Sequence, residues 1–252
     1  MNQSRIQTDR ILSKLDSYFA KNDYAGAERH LKYWLDESIS TQDLRAKLLI
    51  SNELIGLSRK VGKKDQTFEY TTLALQTLKE LDIENTVSAA TTYINVGTAH
   101  KAFDMAAESL PYFEQALDIY ENQLPHTDSR LGGLYNNLAL SLVDVKSFED
   151  AHDYYKKALE VMSHAENGEL EQAITHLNIA SAYDAELGFL DGEEMIFKSL
   201  DRAAELLDVH AESNDGYYAF VCEKCASVFG YYGYFVYEKE LKERSARIYE
   251  RN

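Results

Sequence analysis

Three asparagines recur at one position of a repeated triplet, where their side chains could hydrogen-bond to an extended peptide. The triplets are Asn95-Val96-Gly97, Asn137-Leu138-Ala139 and Asn178-Ile179-Ala180, so the asparagines are 42 and 41 residues apart. A carboxamide both donates and accepts hydrogen bonds, and a row of them can pair with the amide groups of a peptide backbone. The alternative is that each asparagine caps or bridges adjacent helices and binds no ligand.

The residues that usually carry catalysis or metal binding do not form a recognisable site. Cys222 and Cys225 form a lone Cys-x-x-Cys pair, but a zinc site needs two further ligands, so buried core thiols are the better interpretation. The seven histidines are spread singly, and His100 is expected to pack in the core. No phosphate-binding loop, dinucleotide-binding turn or nucleophile elbow occurs. We therefore expect no enzyme activity, no metal and no cofactor.

Composition and charge exclude several classes of partner. The chain has 252 residues, of which 45% are hydrophobic and only two are proline, which favours long helices around a substantial core. The 26 Lys and Arg against 42 Asp and Glu give a net charge of −16, which repels nucleic acid and anionic membranes. No apolar run approaches the roughly 18 residues that span a bilayer, and no signal peptide is evident. We expect a cytoplasmic protein.

The elements that position the asparagines are predicted by an internal repeat. The small residue that closes each triplet is followed 12 residues later by another, as in Ala139 and Ala151. Extending this register along the chain gives one anchor per repeat: Leu15, Ile55, Gly97, Ala139, Ala180 and Ala226. Each repeat has the apolar periodicity of two amphipathic helices, A and B, joined by a short turn. One such hairpin cannot bury both apolar stripes, so neighbouring repeats must stack.

This pattern resembles the tetratricopeptide repeat family. Ala139, Leu142, Ala151, Tyr155 and Ala158 match the family's alternation of small and large residues. The period near 42, against about 34 in the ordinary repeat, is similar to the long variety found in kinesin light chains. The resemblance implies an all-α fold, a right-handed α-α superhelix of about six hairpins in a single domain, 1–252. The predicted repeats span approximately 4–40, 43–82, 85–123, 128–165, 169–209 and 214–250.

In this family the A helices line a concave groove, which implies a set of ligand-contacting positions. They lie two residues before, one after and five after each anchor, and we call them the groove positions. Asn95, Asn137 and Asn178 occupy the first of them. The further candidates on or beside these positions are Asn136, Thr98, Lys101, Leu140, Asp144, Ser181, Asp184, Lys60 and Tyr231. Only Lys60 and Lys224 are basic at groove positions, so a clamp for a C-terminal carboxylate is not expected.

The resemblance implies a non-enzymatic scaffold whose groove binds a protein or peptide, either an extended segment or a helix. One alternative is a regulatory protein that senses a peptide or small ligand and acts on a separate effector chain. Another is a self-assembly module. Aromatic residues are dense between Tyr217 and Tyr237, which makes a homodimer through the C-terminal repeat a further hypothesis.

Overall fold

The described part of the chain, residues 6–166 and 168–250 of this computed structural model, contains twelve α-helices and no strand. The chain forms two compact units, Met1–Gln123 and Leu124–Asn252. The first unit contains α1 (Thr8–Phe19), α2 (Tyr24–Ser40), α3 (Leu44–Lys60), α4 (Lys64–Leu81), α5 (Val87–Ala102) and α6 (Ala106–Gln123). The second contains α7 (Ser129–Asp144), α8 (Phe148–Met162), α9 (Gly168–Leu187), α10 (Phe189–Asp208), α11 (Gly216–Tyr231) and α12 (Phe235–Tyr249).

Consecutive helices pair as the A and B helices of six hairpins, which confirms the predicted fold class. Odd-numbered helices are the A helices and even-numbered helices are the B helices. The single domain over 1–252 stays a prediction, and the start of the first predicted repeat, at residues 4 and 5, lies outside the described residues. Within the described ranges, no helix combines the length and the apolarity that crossing a membrane requires.

Every A–B turn contains one residue with a positive φ. These residues are Asn22, Gly62, Asp104, Lys146, Gly188 and Gly233. A left-handed residue ends a helix and reverses the chain in few residues, and glycine and asparagine adopt this conformation with little strain. In five of the six repeats this residue lies seven positions after the anchor. The exception is Gly188, which lies eight positions after Ala180 and is the single residue between α9 and α10. The repeat therefore fixes where each hairpin turns.

Short polar side chains fix the start of five helices. Each accepts a hydrogen bond from a backbone N–H in the first turn of its helix, which would otherwise lack a partner. These N-cap residues are Asp23 (α2), Asp43 (α3), Thr86 (α5), Asp128 (α7) and Asp215 (α11). Four of the five, all except Asp23, begin A helices that carry predicted site residues, so these caps fix the residue at which each of those helices starts.

The core of the first unit consists of apolar side chains that link successive helices. Ile11, Leu31 and Ile50, from α1, α2 and α3, are buried in one cluster. Ile55 and Leu78 belong to a second cluster that joins α3 and α4 to α5. Because α3 contributes to both clusters, its position is fixed from two sides.

The core of the second unit places the two thiols where the sequence predicted them. Its larger cluster runs from α9 to α12 and contains Leu177, Val221 and Phe229. Cys222 and Cys225 are unpaired and buried in the same cluster. Burial raises the pKa of Cys225 to about 12, so the thiol is neutral at physiological pH and serves as a core residue.

The anchor Gly97 lets α5 and α6 approach closely. A Cβ atom built on Gly97 would lie 2.7 Å from the ring of Phe113, which is itself fully buried. The ring has little room to move, so glycine is required at this helix crossing.

Gly97→Ala is therefore expected to lower the free energy of unfolding. Overpacking of a core typically costs about 1–3 kcal/mol, which outweighs the gain in helix propensity of up to ~1 kcal/mol. Gly56→Ala, in α3, is the matched control because a Cβ there meets no atom within 4 Å. The control should equal or exceed the parent protein in urea denaturation. Equal stability of the two variants would contradict a close contact at Gly97.

Candidate functional site

The A helices α3 and α5 border a pocket of about 670 Å³, which we call the α3–α5 pocket. Aliphatic side chains form part of its wall: Leu48 and Leu49 from α3, Leu81 at the end of α4, and Ile83 from the loop that follows. Its polar lining residues are Arg45, Asn52, Glu53, Thr86, Ser88, Thr91 and Asn95. The predicted site residue Asn95 therefore lies in an apolar pocket with hydrogen-bonding groups, the usual composition of a ligand site.

Asn95 also bridges two helices. Its Nδ2 donates to Oδ1 of Asn52 at 2.9 Å, and Nδ2 of Asn52 donates to Oγ1 of Thr92 at 3.0 Å. The bridging role that the sequence left as an alternative is thus present for this asparagine. Bridging and ligand contact are compatible here, because the hydrogen bond uses one N–H of Asn95 and leaves its carbonyl oxygen as an acceptor.

Glu53 is a half-buried carboxylate in the same pocket. Among the described residues it makes no ion pair or hydrogen bond. Burial raises the pKa of Glu53 above its usual value, and the carboxylate of Asp16 adds to the effect. Arg45 lies about two helical turns away along α3, or about 12 Å, and is exposed, so it does not neutralise Glu53.

Glu53→Gln is expected to raise the melting temperature at pH 7.5. A raised pKa in the folded state means that ionising Glu53 opposes folding, and this cost is fully present above the raised value. It disappears as the pH falls below the ordinary carboxyl range, where Glu53 is protonated in the folded and unfolded chains. Thermal unfolding from pH 7.5 to pH 4 should show the advantage of the variant shrinking. A variant less stable than the parent at pH 7.5 would mean that Glu53 has an internal partner.

The remaining candidates of the first unit lie outside this pocket. Nζ of Lys60 lies over the ring of Tyr24, 5.0 Å from its centroid. The Thr98 hydroxyl donates to the Ile94 carbonyl at 2.7 Å, and Lys101 is half-buried on α5. None of these three side chains lines the wall that contains Asn95.

In the second unit, three predicted residues come together in a pocket of about 450 Å³ between α9 and α11. Ser181, Asp184 and Tyr231 line it together with Tyr232. The Tyr232 hydroxyl donates to Oδ2 of Asp184 at 3.1 Å, and burial raises the pKa of Tyr232 to about 12. Tyr231 is 76% exposed and lies edge-on to Tyr232, with ring centroids 4.8 Å apart. We call this the α9–α11 pocket.

The other candidates of the second unit lie on α7 and α9, outside the α9–α11 pocket. Asn137 and Leu140 are half-buried, Asp144 is exposed, and Asn178 is half-buried. Within the described residues, the side chains of Asn137 and Asn178 make no hydrogen bond, so their amides are open to solvent or a ligand.

Asn136 makes a hydrogen bond within the protein. It is buried, and its Nδ2 donates to Oγ1 of Thr175 on α9 at 2.7 Å, so it is not available to a ligand. The pair repeats the Asn52–Thr92 bond of the first unit: each asparagine lies three residues before its anchor, and each threonine five residues before the next anchor. The sequence analysis instead placed Asn136 beside the groove positions, as a candidate ligand contact, and so missed this bond. The matching Asn and Thr positions were the signal that could have identified it.

Thr175→Val is expected to lower the free energy of unfolding by about 1–3 kcal/mol, because the buried amide of Asn136 loses its acceptor. Adding Asn136→Leu should recover most of the lost stability, because both partners are then apolar. The next repeat junction already has an apolar pair, Leu177 and Val221, at the same two register positions. Urea denaturation of both variants measures the difference. An unchanged free energy of unfolding in Thr175→Val, or a double variant as unstable as the single one, would contradict a stabilising role for the pair.

Comparison with known proteins agrees with this geometry. A family model described as tetratricopeptide repeat matches residues 132–169, which cover most of α7 and all of α8. Residues 132–169 thus match a tetratricopeptide repeat, the family that the sequence pattern resembles. No curated protein sequence matches this chain as a relative.

Solved structures share the fold of this chain at low sequence identity. BtubC (BKLC) from P. vanneervenii is 20% identical over 80% of each chain, with a TM-score of 0.69. A putative kinesin light chain from Podosopora anserina is 15% identical over 80% of this chain and 94% of the other, with a TM-score of 0.55. The apo quorum sensor NprR from B. thuringiensis is 16% identical over 95% of this chain and 64% of the sensor, with a TM-score of 0.55. These likenesses confirm the fold class and show the fold alone.

Proposed function

We propose that this protein is a non-enzymatic scaffold that binds a segment of another protein, or a peptide, across its A helices. The observation that carries the proposal is that A helices border an open pocket in each unit, and that each pocket contains predicted groove residues. Both pockets combine apolar walls with carboxamide, hydroxyl or carboxylate groups, which is the chemistry of peptide recognition.

An extended segment fits these groups better than a helix does. The carboxamides of Asn95, Asn137 and Asn178 can hydrogen-bond to backbone amides, which a helical ligand has already used within itself. In the second unit, Ser181 and Asp184 supply further polar contacts and Tyr231 an exposed aromatic surface. The proposed flanking contacts are Lys60, Thr98, Lys101, Leu140 and Asp144.

The net charge of −16 adds long-range attraction for a basic partner and speeds its association. We propose the cytoplasm as the place of binding, because the two cysteines are free thiols rather than a disulfide.

Thr91→Trp is expected to abolish capture of a partner from native lysate. Thr91 lines the α3–α5 pocket and is exposed, so a large side chain can occupy the pocket without entering the core. Thr72→Trp is the matched control: Thr72 is also an exposed helical threonine whose hydroxyl bonds to the carbonyl four residues earlier, but it lies on α4 outside the pocket. Mass spectrometry should identify proteins retained by the parent and by Thr72→Trp but lost by Thr91→Trp. Identical partners on all three would place binding elsewhere and exclude this pocket.

The second candidate function is a sensor that changes shape on binding a peptide or small ligand and acts on a separate effector chain. The fold similarity to the quorum sensor NprR supports it. The two functions differ in what binding does to the protein. A sensor shows protease protection beyond the pocket when ligand is added, whereas a passive scaffold shows protection at the pocket alone.

A second copy of this chain is a further proposed partner, and a self-assembly module would use the same surface. Phe235 and Val236, at the α11–α12 turn, are 68% and 84% exposed, and Tyr231 is close to them in sequence. The exposed positions that follow on α12 are mainly charged, as at Lys239 and Glu243, so the apolar surface is confined to the turn. A monodisperse monomer at high concentration in light scattering would exclude this homodimer.

A further inference from the structure

Glu53 differs from two other partly buried carboxylates, Glu28 and Asp184, in its surroundings. Glu28 forms ion pairs with Lys32 and Lys63, which lower the pKa of Glu28. Asp184 accepts a hydrogen bond from Tyr232. Glu53 has no such partner among the described residues, and it lines a pocket. A half-buried carboxylate without a partner costs folding free energy, which a cationic ligand would offset.

The charges around Glu53 favour a cation at this end of the pocket. Asp16, on α1, is the charged group close enough to raise the pKa of Glu53, and it is also acidic. Arg45 is the other charged residue of the pocket lining and lies at the start of α3, about two turns before Glu53. The pocket therefore has an acidic end, formed by Glu53 with Asp16 nearby, and a basic end at Arg45.

Aliphatic side chains lie next to the acidic end. Leu49 is one helical turn before Glu53 on α3, and such positions are neighbours on a helix surface. Leu81 and Ile83 add to the same wall. Asn95 supplies the hydrogen-bonding group from α5.

We propose that the α3–α5 pocket selects an extended partner segment in which a lysine or arginine neighbours an aliphatic residue, with the cation on Glu53 and the aliphatic side chain against Leu49, Leu81 and Ile83. This inference rests on the proposed function and names the class of segment that the first unit recognises. The backbone of the segment bonds to the free carbonyl oxygen of Asn95. The selectivity for a basic residue then comes from Glu53 itself, whereas the net negative charge of the protein attracts any basic partner.

The test is selection from a library of N-acetylated, C-amidated nonapeptides by the intact protein, so that a cation can come only from a side chain. The parent protein should enrich peptides with Lys or Arg beside Leu, Ile, Val or Met. In solution, replacing the selected lysine by norleucine should weaken binding about tenfold, as expected for loss of a charge-assisted contact in a partly buried site. With Glu53→Gln, the same replacement should change binding by less than about twofold.

Two controls separate the pocket from its surroundings. Glu69→Gln removes one exposed carboxylate of α4 and the same amount of net charge, so it should keep the parent's preference for lysine. Thr91→Trp should lose the selected peptides altogether, whereas Thr72→Trp should retain them.

Each remaining outcome contradicts a different claim. If the parent protein enriches no sequence, or Thr91→Trp binds as the parent does, the proposed function of this pocket is wrong. If the enriched peptides lack a basic residue, or if Glu53→Gln retains the preference for lysine, the proposed function stands and the role of Glu53 is wrong. Circular dichroism of Glu53→Gln verifies its fold in either case.

Discussion

The packing of neighbouring hairpins against one another is the interaction on which the structure of each unit depends. A single hairpin leaves an apolar stripe exposed, and only the neighbouring repeat covers it. In the first unit, Ile50 joins the first two repeats in one core cluster. In the second, Leu177 and Val221 do the same for the last two. The B helices add to these clusters, but the A helices also carry the pockets, so their packing sets the geometry of any binding surface.

Two register positions recur at these junctions: the residue three before one anchor and the residue five before the next anchor. Some junctions have a polar pair at these two positions and others an apolar pair. Asn52 with Thr92, and Asn136 with Thr175, are the polar pairs. Leu177 and Val221 occupy the corresponding positions in the next repeats. A buried polar pair adds little net stability, but mispairing it with an apolar junction leaves an amide without a partner. The alternation therefore favours the correct neighbour for each hairpin.

The helices could be predicted from the sequence, because the pattern that specifies them is local. The anchors repeat with a period near 42, and the left-handed turn residue follows each at a nearly constant distance, as Gly62 follows Ile55. The α3–α5 pocket could be predicted only in part. Asn95 lies on a helix and follows from the register, whereas Ile83 reaches the pocket from a loop whose path depends on packing. The sequence also does not show that Glu53 lacks an ion-pair partner, because that depends on which basic side chains the fold brings close to it.

Adjacent positions on the A helices differ in whether they face the next repeat. Successive residues are rotated by about 100° around an α-helix, so when the residue three before the anchor points to the next repeat, the one after it points away. Asn136 is buried against Thr175, while Asn137 makes no hydrogen bond within the described residues. On α3 the same pair of positions holds Asn52, which bonds to α5, and Glu53, which does not.

The position two before the anchor varies in chemistry from repeat to repeat, although Asn95 at this position also bonds to Asn52 across the α3–α5 junction. It carries a carboxylate in the second repeat, a carboxamide in the next three, and Lys224 in the sixth. Exchanging a carboxylate for the carboxamide of the same length, as in Glu53→Gln, alters the charge presented to a ligand but leaves the size of the side chain almost unchanged. Under the proposed scaffold function, a change at one such position would alter the ligand preference of one repeat, while the Asn–Thr pairs and apolar pairs beside these positions keep the helices in place.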